Sequence, residues 1–268
     1  KKYMTGKNKK CVLTIAGSDS GAGAGIQSDI KTFKNHGVYG LSVVTAVTAQ
    51  NTKGVQSSLS MTAKMIDAQL KSVFDDFDIK AAKTGMLAGA GAIELIARYM
   101  KKRKNIKLVV DPVIYSKNSY TMLNKQGIGS LKKLLLKQTY LLTPNIPEAE
   151  ILTGMSIDSL DDLETSALML FELGAKNVLV KGGHLKHSIG LPLGTDVLFD
   201  GKKFYLFNTN YISTGNTHGI GCTLSAAITA NLALGNNLIS SIDKAKAYVV
   251  KSLKRTQKIG KGFNPVEQ

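Results

Sequence analysis

Apolar and polar positions in this 268-residue chain follow two rhythms, short β-type runs and longer stretches at helical spacing, which alternate from end to end. That order predicts βαβ units wound onto a mostly parallel sheet. Strands are expected at 11–16 (CVLTIA), 41–48 (LSVVTAVT), 79–82, 108–110, 140–142 and 177–181. Residues 197–199 and 204–207, joined through Asp200-Gly201, read as a hairpin. Helices are expected at 26–35, 63–74, 88–100, 126–137, 147–152, 160–173, 221–234 and 240–258. No linker, repeat or low-complexity stretch breaks the pattern. One domain over 11–268 is expected, behind a disordered basic tail over 1–10.

In open parallel sheets, ligands gather beyond the carboxyl ends of the strands. The chemically unusual residues fall at those ends: glycine-rich 17–25, Gln50 and Asn51, 83–86, Asp111-Pro112, 143–148, 181–184 and 216–222. A composite site is the natural reading.

Residues 216–223, NTHGIGCT, open an amphipathic helix. Two glycines let the backbone turn tightly, and first-turn N–H groups at a helix start bind phosphate and stabilise charge on a phosphoryl group in transfer. Cys222 falls in that first turn, where the helix dipole is expected to lower a thiol pKa and suit it to act as a base toward an alcohol. The segment reads equally as a glycine-bearing helix start with a small buried Cys. Asp111 and Glu148 are carboxylates at neighbouring strand ends and would suit Mg²⁺; separately, they read as an Asp-Pro turn and an acidic first helical turn. Lys181, before Gly182-Gly183-His184, puts a cation beside flexible backbone, for a nucleotide phosphate or as a surface turn. Asp29 is expected to face the pocket from the first helix, or to be solvated there. Met86 is a pocket wall or plain packing, and His218 a phosphate contact or a structural hydrogen bond. His36 and His187 read as surface residues, and Cys11 as core.

Several classes are excluded or disfavoured. No GxxxxGK[ST] phosphate loop is present. The first loop lacks GxGxxG spacing, and Ala49-Gln50-Asn51 stands where a dinucleotide fold needs an acidic residue, which argues against a dehydrogenase. Two cysteines make no disulfide framework, and no apolar run reaches the roughly 18 residues of a membrane span, so a cytoplasmic protein is expected. The formal charge is +16, but only three of the 35 basic residues are Arg, and aromatics make up 6%. A solvated lysine surface, able to concentrate an anion such as ATP, is therefore favoured over nucleic-acid binding.

The segments VLTIAGSDSGAGAGIQSDIKTF, TAVTAQNTKGVQ, KTGML, VVDPV, LTPNIPEAE, VKGGH, TDVLFDG and NTHGIGCTLSAAI, in this order from residue 11 onward, resemble the bifunctional hydroxymethylpyrimidine/phosphomethylpyrimidine kinases of thiamin biosynthesis. The resemblance implies a ribokinase-like three-layer α/β/α sandwich with a mostly parallel central sheet, dimeric, using ATP and Mg²⁺. It implies phosphorylation of 4-amino-5-hydroxymethyl-2-methylpyrimidine and then of its monophosphate, with pyridoxal kinase as the nearest rival. Carried over by position, Asp29 and Gln50 would hydrogen-bond the aminopyrimidine, and Gly17, Met86 and Val113 would line its pocket. Cys222 would face the hydroxymethyl oxygen, with the amides of Gly219, Ile220, Gly221 and Cys222 as an anion hole. Asp111 and Glu148 would organise Mg²⁺, while Asn145, Lys181 and Thr217 would meet the nucleotide. Two departures stand out. The loop reads DSGAGAG where the family often has DPSGGAG, and Ile220 replaces a Thr, so the anion hole requires Ile220 to keep a negative φ.

Overall fold

The computed structural model describes residues 9–116, 120–183, 194–208 and 217–268. Most of the expected tail, together with His184, His187 and Asn216, lies outside them. One sheet runs through the described residues in the order β3-β2-β1-β4-β5-β6-β7-β8-β9. Its strands are β1 (Cys11–Asp19), β2 (Tyr39–Asn51), β3 (Gly54–Ser60), β4 (Ile79–Thr84), β5 (Lys107–Val110), β6 (Leu141–Leu142), β7 (Val178–Val180), β8 (Asp196–Phe199) and β9 (Phe204–Phe207). From β2 to β7 all neighbours pair in parallel, while β3, β8 and β9 pair antiparallel at the edges.

Side chains alternate across each strand, and this divides the core into two layers. Leu13 and Ile15 of β1 join Leu108 and Val110 of β5 under α2 (Ala63–Asp76), α3 (Ala90–Lys101), α5 (Ile146–Thr153) and α6 (Leu160–Glu172). Val12, Ala81, Val109 and Leu179 face α1 (Gly25–Asn35), α7 (Ile220–Ala233) and α8 (Leu238–Arg255). The result is the three-layer α/β/α sandwich. Helix α7 carries mostly small residues and is buried from Thr223 through Ala233, so it lies close against the sheet with its start at the strands' carboxyl ends.

Two elements differ from the sequence pattern. β3 (GVQSSLS) was not expected, because an edge strand with both faces wet has no apolar alternation to reveal it. The expected helix 126–137 is instead α4 (Lys125–Ser130), a π turn (Leu131–Leu135) and a 3₁₀ turn (Leu136–Gln138). Gly127 and Gly129 weaken the α geometry, and the irregular turns bring Leu131, Leu135 and Leu136 all into the core.

β1 is flanked by β2 on one side and β4 on the other, so the chain reverses its winding direction there. A crevice at such a point, beyond the carboxyl ends, is where α/β sheets bind ligands.

Candidate active site at the strand ends and the start of α7

The start of α7 is shaped by Gly219, whose φ is +81° and where a Cβ would fall 1.9 Å from the Gly23 carbonyl oxygen. Only glycine fits such a position. No side chain caps this end, so the amides of Ile220, Gly221 and Cys222 project from the positive pole of a buried helix. Among the described residues, Ala22 and Ala88 are the only non-glycines with positive φ, so Ile220 keeps the backbone its amide needs. Thr217, half-buried, leads into this turn.

Facing the helix start are Asp111, just beyond β5, and Lys181, just beyond β7. Lys181 Nζ donates to Asp111 Oδ1 at 3.0 Å. A Cβ on Gly221 would lie 3.4 Å from Lys181 Nζ and 3.6 Å from Asp111 Oδ2, so this glycine brings backbone and charges together. Asn145 and Glu148 form a capping box on α5: Asn145 Oδ1 accepts from the Glu148 amide and Glu148 Oε2 from the Asn145 amide, each at 2.9 Å. That leaves Asn145 its Nδ2 as donor. Burial, aided by the Asp111 charge and opposed by Lys181, pushes the Glu148 carboxyl up to about 7. No cluster of three or more metal-ligating side chains occurs among the described residues. Two nearby carboxylates instead fit a hard cation that draws its other ligands from water and phosphate.

Beneath the helix start lies a second lysine. Lys83 Nζ donates to Asp29 Oδ1 at 2.7 Å and Thr14 Oγ1 to Asp29 Oδ2 at 2.6 Å, with Lys83, Asp29 and Thr14 all fully buried. Asp29 is fully buried beneath the pocket rather than open to it as expected, each of its oxygens accepting one of these bonds, and it supports the site from below. The expectation for Cys222 is also corrected. Burial pushes its thiol up to about 11, and the charges of Asp29 and Asp111 add to the rise. Lys83 and a hydrogen bond from the Gly25 amide pull the other way without prevailing. Desolvation outweighs the half-charge of a helix start, so the resting sulfur is a thiol.

The other end of the crevice is formed by loop 17–25, β2 and the segments after β4 and β5. Met86 packs on Gly17, where a Cβ would meet its Sδ at 2.9 Å. Val113 lines a small cavity with Gly85, Leu87 and Pro112. Gln50, next to the last residue of β2, lines a second cleft with Ser116, His218 and Phe263. Asp19 organises the loop, accepting from the amides of Gly21, Gly23 and Ala24 at 2.8, 3.1 and 2.8 Å.

Sequence reasoning included Lys83 and Asp19 in its strand-end segments but gave neither a role. Lys83 had a legible signal, since it lies two residues after Ala81 on the same inward strand face, and a charge on an inward face requires a counterion. Asp19 had one too, because an Asp two residues before a glycine is an Asx-turn pattern.

Comparison with known proteins gives the family. The phosphomethylpyrimidine kinase family model matches residues 19–267. The hydroxymethylpyrimidine/phosphomethylpyrimidine kinase of Bacillus subtilis is 44% identical over 253 residues, spanning 94% of this chain and 92% of the relative. The phosphomethylpyrimidine kinase structure from Clostridium difficile 630 superposes with a TM-score of 0.80 at 42% identity, covering 91% of this chain and 99% of that one. Bacillus subtilis pyridoxal kinase, solved as an ADP complex, superposes at 0.87 with 35% identity, covering 97% of both chains.

Proposed function

The chain belongs to the phosphomethylpyrimidine kinase family, and from that premise we propose that it transfers phosphate from ATP to 4-amino-5-hydroxymethyl-2-methylpyrimidine and then to the resulting monophosphate, supplying thiamin biosynthesis. The observation that carries this reading is the meeting of an uncapped helix start, the Asp111–Lys181 pair and Cys222 at the strand ends. In-line phosphoryl transfer is catalysed mainly by positioning and charge stabilisation. The acceptor oxygen forms a bond to the terminal phosphorus as the bond to the ADP oxygen breaks. The amides of Gly219, Ile220, Gly221 and Cys222 receive the negative charge that shifts across the transferring group.

Lys181, Thr217 and the Asn145 amide hold the nucleotide phosphates. Asp111 and Glu148 would hold Mg²⁺, which when bound neutralises phosphate charge. Gln50 meets the aminopyrimidine edge, with Gly17, Met86 and Val113 as pocket walls, and Asp29 acts through Lys83. Cys222 faces the hydroxymethyl oxygen as a neutral thiol and orients it, with Lys83 beneath. A loose transition state asks little of a base, which suits a sulfur that stays protonated near neutral pH. A homodimer in the cytoplasm completes the reading. Val47 and Leu59, paired across β2 and β3 and both exposed, supply an apolar outer face, and both cysteines are free.

A coupled assay with the hydroxymethylpyrimidine, its monophosphate and pyridoxal in parallel tests the reading, and turnover on the first two is expected. Turnover on pyridoxal alone would overturn it. Cys222→Ala is expected to lower turnover about 100-fold with ATP binding unchanged, as loss of an orienting contact does; full activity in that variant would make Cys222 a packing residue.

A further inference from the structure

Three segments distant in the chain meet at one ring nitrogen. His218 Nε2 lies 3.1 Å from Asp19 Oδ2 and 3.3 Å from the side-chain nitrogen of Gln50. The His218 backbone is held by the last segment of the chain, since His218 pairs with Pro265 and its carbonyl accepts from the Val266 amide at 3.1 Å. His218 thus lines the same cleft as Gln50.

Counting hydrogens sets the polarity of this junction. Burial alone would raise the Asp19 carboxyl, but hydrogen bonds from His218, Gly21 and Ala24 hold it below its ordinary range. It is therefore an ionised acceptor, and the nitrogen facing it has to carry the proton. With Nε2–H donating to Asp19, a Gln50 N–H aimed at the same nitrogen sets two donors against each other. Turning the Gln50 amide by half a rotation resolves this, because its oxygen and nitrogen ends have the same shape. Its oxygen then accepts from His218. Its nitrogen then donates to Thr48 Oγ1, 3.2 Å from the amide's other end, while the Thr48 hydroxyl donates to the Ser18 carbonyl at 3.0 Å. The His218 N–H, the Thr48 hydroxyl and one Gln50 N–H then each have an acceptor.

We propose that His218 is a positioning residue that fixes which way the Gln50 amide points and, through Asp19, the shape of loop 17–25, and so sets affinity for the acceptor ring rather than for ATP. The choice of ring rests on the functional reading above; the hydrogen-bond polarity does not. Long-range ¹H–¹⁵N spectra of the free enzyme are expected to show the Nε2–H tautomer of His218. An Nδ1–H tautomer would overturn the proposal whatever the substrate.

In kinetics, His218→Leu is expected to raise KM for the hydroxymethylpyrimidine about tenfold, the scale of one lost hydrogen bond, with KM for ATP within about twofold. His218→Gln, whose amide can donate from a similar position, is expected to recover most of that loss. Equal rises in both KM values, or a Gln variant as impaired as the Leu one, would refute it. Should the wild type turn over pyridoxal and not the pyrimidine, the functional reading fails, and the same KM split measured on pyridoxal judges His218 independently.

Discussion

Lys83–Asp29 and Lys181–Asp111 each join a strand-end lysine to an aspartate, at 2.7 and 3.0 Å, yet the first has no exposed side-chain surface while 16% of the Lys181 side chain remains accessible. In both, burial by itself lowers the lysine's hold on its proton, and neighbouring anions more than offset this. The environments decide what each cation can then do. A sealed pair cannot exchange Asp29 for a ligand, so its charge acts on Cys222 and the strand ends only through space. A pair open on one side can exchange Asp111 for phosphate oxygens. The same two residue types thus serve as a foundation in one place and as a contact in the other.

The largest effect should come from breaking the sealed pair. Lys83→Met leaves a buried carboxylate uncompensated, expected to cost about 3–5 kcal/mol and to lower the thermal midpoint by roughly 10 °C. Adding Asp29→Leu should recover much of that loss, and a single variant within 2 °C of wild type, by calorimetry, would refute the contrast. Lys181→Met should instead leave the midpoint within about 3 °C. It should lower kcat/KM for ATP about 100-fold, near 2.7 kcal/mol, as loss of a charge-stabilising donor does. An equally large stability loss would mean that the two pairs do the same work.

The thiol above Lys83 sharpens the comparison further. With Cys222 raised from 9.0 to about 11, its alkylation by iodoacetamide, followed by peptide mass spectrometry, should be slow at pH 7.5. It should climb about tenfold per pH unit toward pH 10, and a plateau below pH 8 would contradict the burial argument. The linkage sign follows. Above pH 9 the unfolded chain releases this proton first, so Cys222 should cost stability as pH rises from about 9 to about 11. The smallest effect concerns the loop itself. Ala22 holds a φ of +58° where the family pattern has glycine. Ala22→Gly should stabilise by about 0.5–1 kcal/mol, and a destabilised variant in urea titration would show that the loop needs the methyl group.

Much of the fold was legible because burial writes itself into period. Val12 to Ala16 and Leu108 to Val110 are buried on both faces and read as short apolar runs. α8 keeps an apolar stripe along one side and was placed to within a few residues. β3 escaped because the solvent on both its faces imposes no pattern. At the strand ends, glycines and turn positions pointed to 217–222, Asp111 and Lys181, since those features follow from backbone constraints local to each segment.

The βαβ winding, the glycine-shaped start of α7 and the inventory of charged groups at the strand ends are written in the order of residues alone. Each of these depends on a few neighbouring residues and on the side-chain period of one element. Packing in three dimensions was needed to show that Asp29 lies beneath the pocket, that Lys83 is its partner 54 positions away, that the Cys222 sulfur stays protonated and that His218 joins Asp19 to Gln50. Desolvation and hydrogen-bond polarity depend on which atoms surround a group in space, and that is set by packing between segments with no sequence relation to each other.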